Sequence, residues 1–274
     1  MAELDFAAMY QFEKTKVRKA KLATATPAAT TTKANLQTQT QTTQIHHLDD
    51  ASTLLFTPDF LQPIELSSLA LFFSNNDSKW ISLSNRRLIV YGGTPHPGGT
   101  IPQPIPSPIQ QLSSKIQTHF ASISSLPINN VLVNEYNHHK GIALHNDGPL
   151  YHEIVYIYSV NSCLFKLIRE SDGERISVFL PDNSIFCFQK DKYKDWKHEI
   201  DESEVDIVLI DTINASMLNL EIGAKLVRPN KRISLTFRSL ATPFIEESFT
   251  SEAIAEEKRK LAWFNDSVSE SEGN

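Results

Sequence analysis

Two short phrases, L-H-N-D-G-P with His145 and Asp147 and K-H-E-I with His198, hold the side chains best suited to binding a metal. Residues two apart in an extended strand face the same way, so His145 and Asp147 can point into one site. His198 lies 51 residues beyond Asp147, after an apolar run and a Lys-rich loop, far enough to return on another strand. Two imidazoles and one carboxylate leave three positions of an octahedron open, unlike a closed structural zinc site. Two of those positions suit a bidentate keto acid and the third suits dioxygen, which is the chemistry of a non-haem iron(II) oxidation. The same spacing recurs at Asn134 and Tyr136 in V-L-V-N-E-Y. In R-I-S-L-T-F-R it places Arg232, Ser234, Thr236 and Arg238 on one face and Ile233, Leu235 and Phe237 on the other. At ~3.3 Å per residue the two arginines are roughly 20 Å apart along the strand, so they suit opposite parts of one small dianion, compatible with 2-oxoglutarate.

Each of these features alone has a plainer explanation. An H-x-D triplet occurs by chance, an isolated histidine is more often a satisfied polar residue, and a strand with two arginines is more often a guarded sheet edge. The adjacent pairs His46-His47 and His138-His139 receive no role, because neighbours in an extended chain point to opposite faces.

The elements that must position these residues are predominantly strands. L-L-F-T-P-D-F-L-Q leads through Pro63 into an apolar helical stretch, I-E-L-S-S-L-A-L-F-F, and then into K-W-I-S-L-S-N-R-R-L-I-V-Y-G-G, a strand-like pair followed by an irregular loop. Apolar Ile109, Leu112, Ile116 and Phe120 predict a second helix over residues 107–122. Short β-branched and aromatic runs then follow one another: VLVNEY, EIVYIYSV, CLFKLI, RISVFL, SIFCFQ, VDIVLI and RISLTFR. Seven or eight short strands after two helices imply a mainly β sandwich or barrel with helices packed on one side. Residues 1–19 read as an amphipathic helix, 20–50 as a disordered polar linker, 51–243 as the folded domain, and 244–274 as a helix followed by an acidic tail.

Composition narrows the function further. The chain has 274 residues, with 26 Lys and Arg against 32 Asp and Glu, so its net charge of -6 excludes an overall basic nucleic-acid coat, though not a local basic patch. Cys163 and Cys187 sit in apolar runs, too few for a disulfide framework, and fit buried thiols in a reducing compartment. No apolar run reaches the ~18 residues of a membrane span, and the N-terminus opens with acids rather than the basic region of a secretory signal, so a soluble intracellular protein is expected.

The phrases NNVLVNEY, GIALHNDGPLYHEIV, KHEI and RISLTFR, in this order and together with TPDFL and KWISLSNRRLIVYGGTPHPGG, resemble the AlkB family of iron(II)- and 2-oxoglutarate-dependent dioxygenases, closest to its homologue six subgroup. The resemblance covers about residues 54–240. It implies a double-stranded β-helix, or jelly roll, buttressed by helices. It also implies that His145, Asp147 and His198 bind iron(II) as the catalytic centre, and that Asn134, Tyr136, Arg232, Ser234 and Arg238 contact 2-oxoglutarate. The implied reaction uses dioxygen to oxidise 2-oxoglutarate to succinate and carbon dioxide and hydroxylates, and so demethylates, an alkylated nucleic acid, DNA or tRNA; the expected location is the cytoplasm and nucleus.

Residues 79–99 resemble the family's nucleotide-recognition lid, in which Trp80, Arg86, Arg87 and Tyr91 would stack on a base or meet phosphates; the plainer alternative is that Trp80 and Tyr91 are core and the arginines solvated. Lys190, Lys192, Lys194 and Lys197 would add local positive potential near His198. Some positions depart from the pattern. Pro149 stands where base-repairing members tend to carry a second acid, Ser234 where many have Asn, and Glu199 where Gly often follows the distal histidine. The separation of 34 positions from His198 to Arg232 implies an insertion near the rim of the site. Two alternatives stand beside the nucleic-acid demethylase: an oxygenase acting on protein, and a catalytically silent jelly-roll module that binds partners through its tails.

Overall fold

A computed structural model describes residues 44–75, 80–96, 99–137 and 139–241. The helices expected over 1–19 and 244–274, and most of the linker, lie outside the described residues. The expected linker nevertheless ends too late, because β1 (His46–His47) already pairs with β2 (Leu54–Thr57), placing His46 opposite Phe56. Asp49 fixes the turn between them, its carboxylate accepting from the backbone N–H groups of Thr53 and Leu54.

The helix α1 (Pro63–Ser74) begins at a proline, favourable at this position because its missing N–H is not needed there, and a capping box joins Gln62 and Glu65. It is followed by β3 (Ile81–Ser82), β4 (Arg87–His96) and β5 (Gly99–Pro102), then by α2 (Ser107–His119), which ends three residues before the predicted boundary. The remaining strands are β6 (Asn130–Asn137), β7 (Ile142–His145), β8 (Tyr151–Ser159), β9 (Cys163–Arg169), β10 (Arg175–Leu180) and β11 (Ser184–Gln189). After the single turn α3 (Asp191–Lys194) come β12 (Trp196–Ile200), β13 (Val205–Ile207), β14 (Lys225–Val227) and β15 (Lys231–Leu240).

The strands form a nine-stranded sheet in the order β1-β2-β11-β8-β15-β6-β4-β3, with β5 on β4, a four-stranded sheet β10-β9-β12-β7, and the small pair β13-β14. Alternation along the strands builds two apolar layers. On one face of the large sheet Val131, Val133, Tyr156, Tyr158, Leu235 and Phe237 meet Leu66, Leu69 and Phe73 of α1 and Ile109, Leu112 and Ile116 of α2. On the other face Val155, Ile157, Phe186 and Phe188 meet Phe165, Leu167, Val178, Leu180 and Trp196 of the smaller sheet. Both faces of the large sheet are covered, which is why its central runs read as continuously apolar. The result is a jelly roll of two antiparallel sheets with helices on one side, as expected.

Two local expectations change. The VDIVLI run is a strand only over Val205–Ile207, because the chain then turns and the N–H of Leu209 donates to the Thr212 hydroxyl. The insertion after β12 is tied down by Arg228, whose guanidinium donates to Asp206 and to the carbonyl of Asp201, and it lies against β10 through a Ser177–Thr212 bridge. None of its residues lines the cavity between the sheets, but Asp206 accepts from the backbone N–H of Leu164, next to the Cys163 that touches Arg232. Both cysteines are buried and free. Among the described residues no helix is long and apolar enough to cross a membrane.

Candidate metal and co-substrate site

Sheet register closes the sequence gap between the two histidines. Strand β7 pairs with β12 so that His145 stands directly opposite His198, and their ring centroids are 4.2 Å apart. Asp147 follows just beyond the end of β7, and the chain turns at Gly148, whose positive φ of 90° suits glycine. One oxygen of Asp147 lies 3.8 Å from His198 Nε2 and has no hydrogen-bond partner, although the side chain is only 7% exposed. The other accepts from Arg238 Nη1 at 2.8 Å. His145 Nδ1 bonds the carbonyl of Ala143 at 2.8 Å, which leaves Nε2 as the lone-pair nitrogen in that tautomer. His198 is stacked on Phe165, with centroids 5.2 Å apart, and burial pushes its pKa down to about 4, so it is neutral near pH 7 and its lone pair is available.

These donors fit an iron ion by chemistry. A buried carboxylate oxygen without a partner beside two imidazoles is costly unless something positive completes it. Among the described residues no three His, Cys, Asp or Glu side chains form a finished metal cage, and at this site Arg238 holds Asp147 by one oxygen.

A cavity of about 170 Å³ opens beside the histidines. Its floor is set by the β6–β15 register, which places Tyr136 opposite Arg232 and Asn134 opposite Ser234. All four, together with Thr236 and Arg238, line it, as strand alternation predicts. Arg232 is 4% exposed; its guanidinium carbon sits 4.5 Å from the Tyr136 ring centroid, Nη1 donates to the Cys163 sulfur at 3.4 Å, and Nε has no partner. Among the described residues no carboxylate pairs with it, whereas the other buried arginines, Arg228 and Arg238, each hold an aspartate. Asn134 Oδ1 is likewise without a partner. Burial raises the Tyr136 pKa, and the nearby Arg232 and Arg86 partly oppose that rise, so the phenol stays protonated as a donor.

The expected substrate contacts need correction. Tyr91 is 5% exposed and packs against Phe72 in the helix-side core, and Trp80 packs against the same core beside Phe73. Arg87 is held by two hydrogen bonds to Glu135 and lies over the Trp80 ring at 4.5 Å. The cause is register: Arg87, Ile89 and Tyr91 pair with Glu135, Val133 and Val131, which face away from Asn134 and Tyr136. Arg86, of opposite parity, is the one of these four residues that lines the cavity, 6.0 Å from the Tyr136 centroid and with its Nε buried and unpartnered. Three of the four lysines before His198 meet acids: Lys192 pairs with Asp191 and also lies over the Trp196 ring, Lys194 pairs with Glu153 and Lys197 with Glu170. Asn130 and Cys163, which also support the arginines, carry no signal in the sequence beyond their place on strands facing the site.

The model of the 2OG-Fe(II) oxygenase superfamily matches residues 29–238, more than half of the chain, and the chain belongs to that superfamily. Its members use iron(II), 2-oxoglutarate and dioxygen, and the chain is an oxidoreductase of this dioxygenase class. Within it, the chain is 31% identical over 200 residues to the "Probable RNA/DNA demethylase ALKBH6" of Danio rerio, covering 68% of this chain and 85% of that protein, which places it in the AlkB family. It is also 27% identical over 173 residues to "Uncharacterized protein L905" of Acanthamoeba polyphaga mimivirus, covering 60% and 75%. Among solved structures, "The structure of OsALKBH1" aligns with a TM-score of 0.48 at 15% identity, covering 72% of this chain and 100% of that one. An oxygenase from Burkholderia pseudomallei aligns at 0.47 and 12%, covering 68% and 83%.

Proposed function

We propose that the protein oxidatively demethylates an alkylated nucleic acid, with His145, Asp147 and His198 as the iron ligands. Asn134, Tyr136, Arg232, Ser234 and Arg238 receive 2-oxoglutarate, and Arg86 faces the substrate. The observation that carries the site assignment is the buried, acid-free guanidinium of Arg232 in one cavity with both histidines and Asp147. A buried cation left unpaired is strongly unfavourable, and a small dicarboxylate supplies its partner in a bidentate pair. Iron bound there with 2-oxoglutarate would supply the oxidising chemistry, one atom of dioxygen going into a C–H bond of the substrate and the other into succinate with release of carbon dioxide; on an N-methyl group the hydroxylated product would release formaldehyde and leave the free amine.

The protein's own residues do the rest. Phe165 and Phe188 fix the His198 ring and keep water from it. The Tyr136 hydroxyl and the Asn134 amide offer hydrogen-bonding groups beside Arg232, and Arg238 balances the charge on Asp147. The substrate class rests on the similarity to the zebrafish protein and on Arg86, a cation at the cavity wall suited to a phosphate or a base edge. The test presents N-methylated single-stranded RNA and DNA oligonucleotides, and a methylated peptide, to the iron-loaded full chain. Succinate and formaldehyde should form stoichiometrically with a nucleic acid and fall at least about tenfold in Arg86→Ala, the loss of one charge-assisted contact. Turnover with the peptide alone would move the assignment to a protein-directed oxygenase.

A further inference from the structure

We infer that Asn130 is a positioning residue that couples the paired strands β4 and β5 to the metal and co-substrate site through Arg238. The inference rests on the site assignment proposed above. Asn130 is 1% exposed and uses both ends of its amide: Nδ2 donates to the Gly93 carbonyl at 2.7 Å, and Oδ1 accepts from Arg238 Nε at 3.2 Å. Arg238 then donates from Nη1 to Asp147 and lies 4.2 Å from the Tyr151 ring centroid. A continuous chain of hydrogen bonds therefore runs from the backbone of β4 to the carboxylate proposed as an iron ligand. Only a side chain that donates and accepts at once can stand in its middle; aspartate lacks the donor and an aliphatic residue lacks both.

The backbone makes this link stiff. Gly92, Asn130 and Arg238 are neighbours across three strands in register. Next to them the N–H of Gly93 donates to the Asn129 carbonyl at 2.7 Å, and the N–H of Asn129 to the Arg238 carbonyl at 3.2 Å. Gly92 has φ of 86°, and a Cβ there would meet the Asn129 carbonyl oxygen at 2.1 Å, so the strands approach as closely as glycine allows. Gly93 is where β4 begins its pairing with β5. A change at Arg238, when iron takes Asp147 or a carboxylate approaches the guanidinium, is thus felt first at the base of the β4–β5 pair. The coupling is reciprocal: whatever restrains the β4–β5 pair also holds Arg238 in place.

The test compares backbone hydrogen exchange of β4 and β5 in the full chain, free and loaded anaerobically with iron(II) and 2-oxoglutarate, for the unsubstituted protein, Asn130→Asp and Asn130→Ala. Loading is monitored independently by the visible charge-transfer band of the iron-bound keto acid. In the unsubstituted protein loading should slow exchange around Gly93 by about threefold or more. In both variants the band should still form while that slowing disappears. Asn130→Asp keeps the volume and the acceptor for Arg238 but replaces the donor to Gly93 by a carboxylate oxygen, and Asn130→Ala, which brings no charge beside Arg238, controls for that added charge. A merely structural asparagine would change the level of exchange and leave its response to loading intact. An unchanged response in folded variants, or no response in the unsubstituted protein despite the band, overturns the coupling alone. Absence of the band in the unsubstituted protein overturns the site assignment and the coupling together.

Discussion

Replacing Arg232 with methionine should separate binding from stability in opposite directions. In the free protein this guanidinium is buried with only a thiol sulfur and the Tyr136 ring as partners. The ring contact is worth about 0.5–2 kcal/mol, while an uncompensated buried charge costs several kcal/mol. Arg232→Met therefore leaves the free protein as stable as before or more so. Co-substrate binding behaves otherwise, because removing one partner of a buried charge pair costs about 2–5 kcal/mol, a loss of at least about 30-fold in affinity. Thermal unfolding under anaerobic iron(II) reads both effects. With 2-oxoglutarate at 100 times its Kd the unsubstituted protein gains about 2.7 kcal/mol. At the same concentration Arg232→Met gains less than about 1 kcal/mol. Since ~1 kcal/mol moves Tm by about 2–4 °C in a domain of this size, the two are readily told apart. A variant that loses more than about 2 kcal/mol in the free state yet keeps the full 2-oxoglutarate shift refutes the reasoning.

Three further outcomes are expected. Asp147→Asn should abolish iron-dependent 2-oxoglutarate turnover, because it removes a charged ligand and turns an amide toward Arg238; full turnover in a succinate assay would exclude Asp147 as a ligand. Burial holds the pKa of His198 near 4, against about 6.5 when unfolded, so the unfolded chain takes up this proton first. The metal-free protein should accordingly lose about 3 kcal/mol as pH falls from 6.5 to 4. Denaturant titrations across that range should show the loss, and His198→Phe, which keeps the stacking on Phe165, should lack this part of it. Gly92→Ala should destabilise the fold by more than about 2 kcal/mol, from a positive φ and a steric clash with the Asn129 carbonyl. A Tm within 2–4 °C of the unsubstituted protein, the equivalent of about 1 kcal/mol, would show that the strands separate easily there.

Much of the site was legible because period-two alternation decides which residues share a face. The R-I-S-L-T-F-R pattern sorted Arg232, Ser234, Thr236 and Arg238 into the cavity and Leu235 and Phe237 into the core before any partner strand was known. The placement of Arg87 and Tyr91 was not legible in the same way. Their face depends on how β4 aligns with β6, and a shift of one residue would have exchanged them with Arg86, Leu88 and Val90. The Arg238–Asp147 pair and the role of Asn130 join residues 91 and 108 positions apart, and nothing local announces them. Strand β1 escaped detection because two residues on a sheet edge leave no periodic trace. The extra length after His198 gave the size of the insertion but not the face of the sheet it covers.

The central claim, that His145, Asp147 and His198 hold iron beside a 2-oxoglutarate pocket, is tested most directly by anaerobic titration of the metal-free full chain. Iron(II) added with 2-oxoglutarate should develop the visible charge-transfer band of an iron-bound keto acid, saturating at one iron per chain, and His198→Ala should abolish it while remaining folded. No band from folded, unsubstituted protein, or an undiminished band in His198→Ala, would contradict the account.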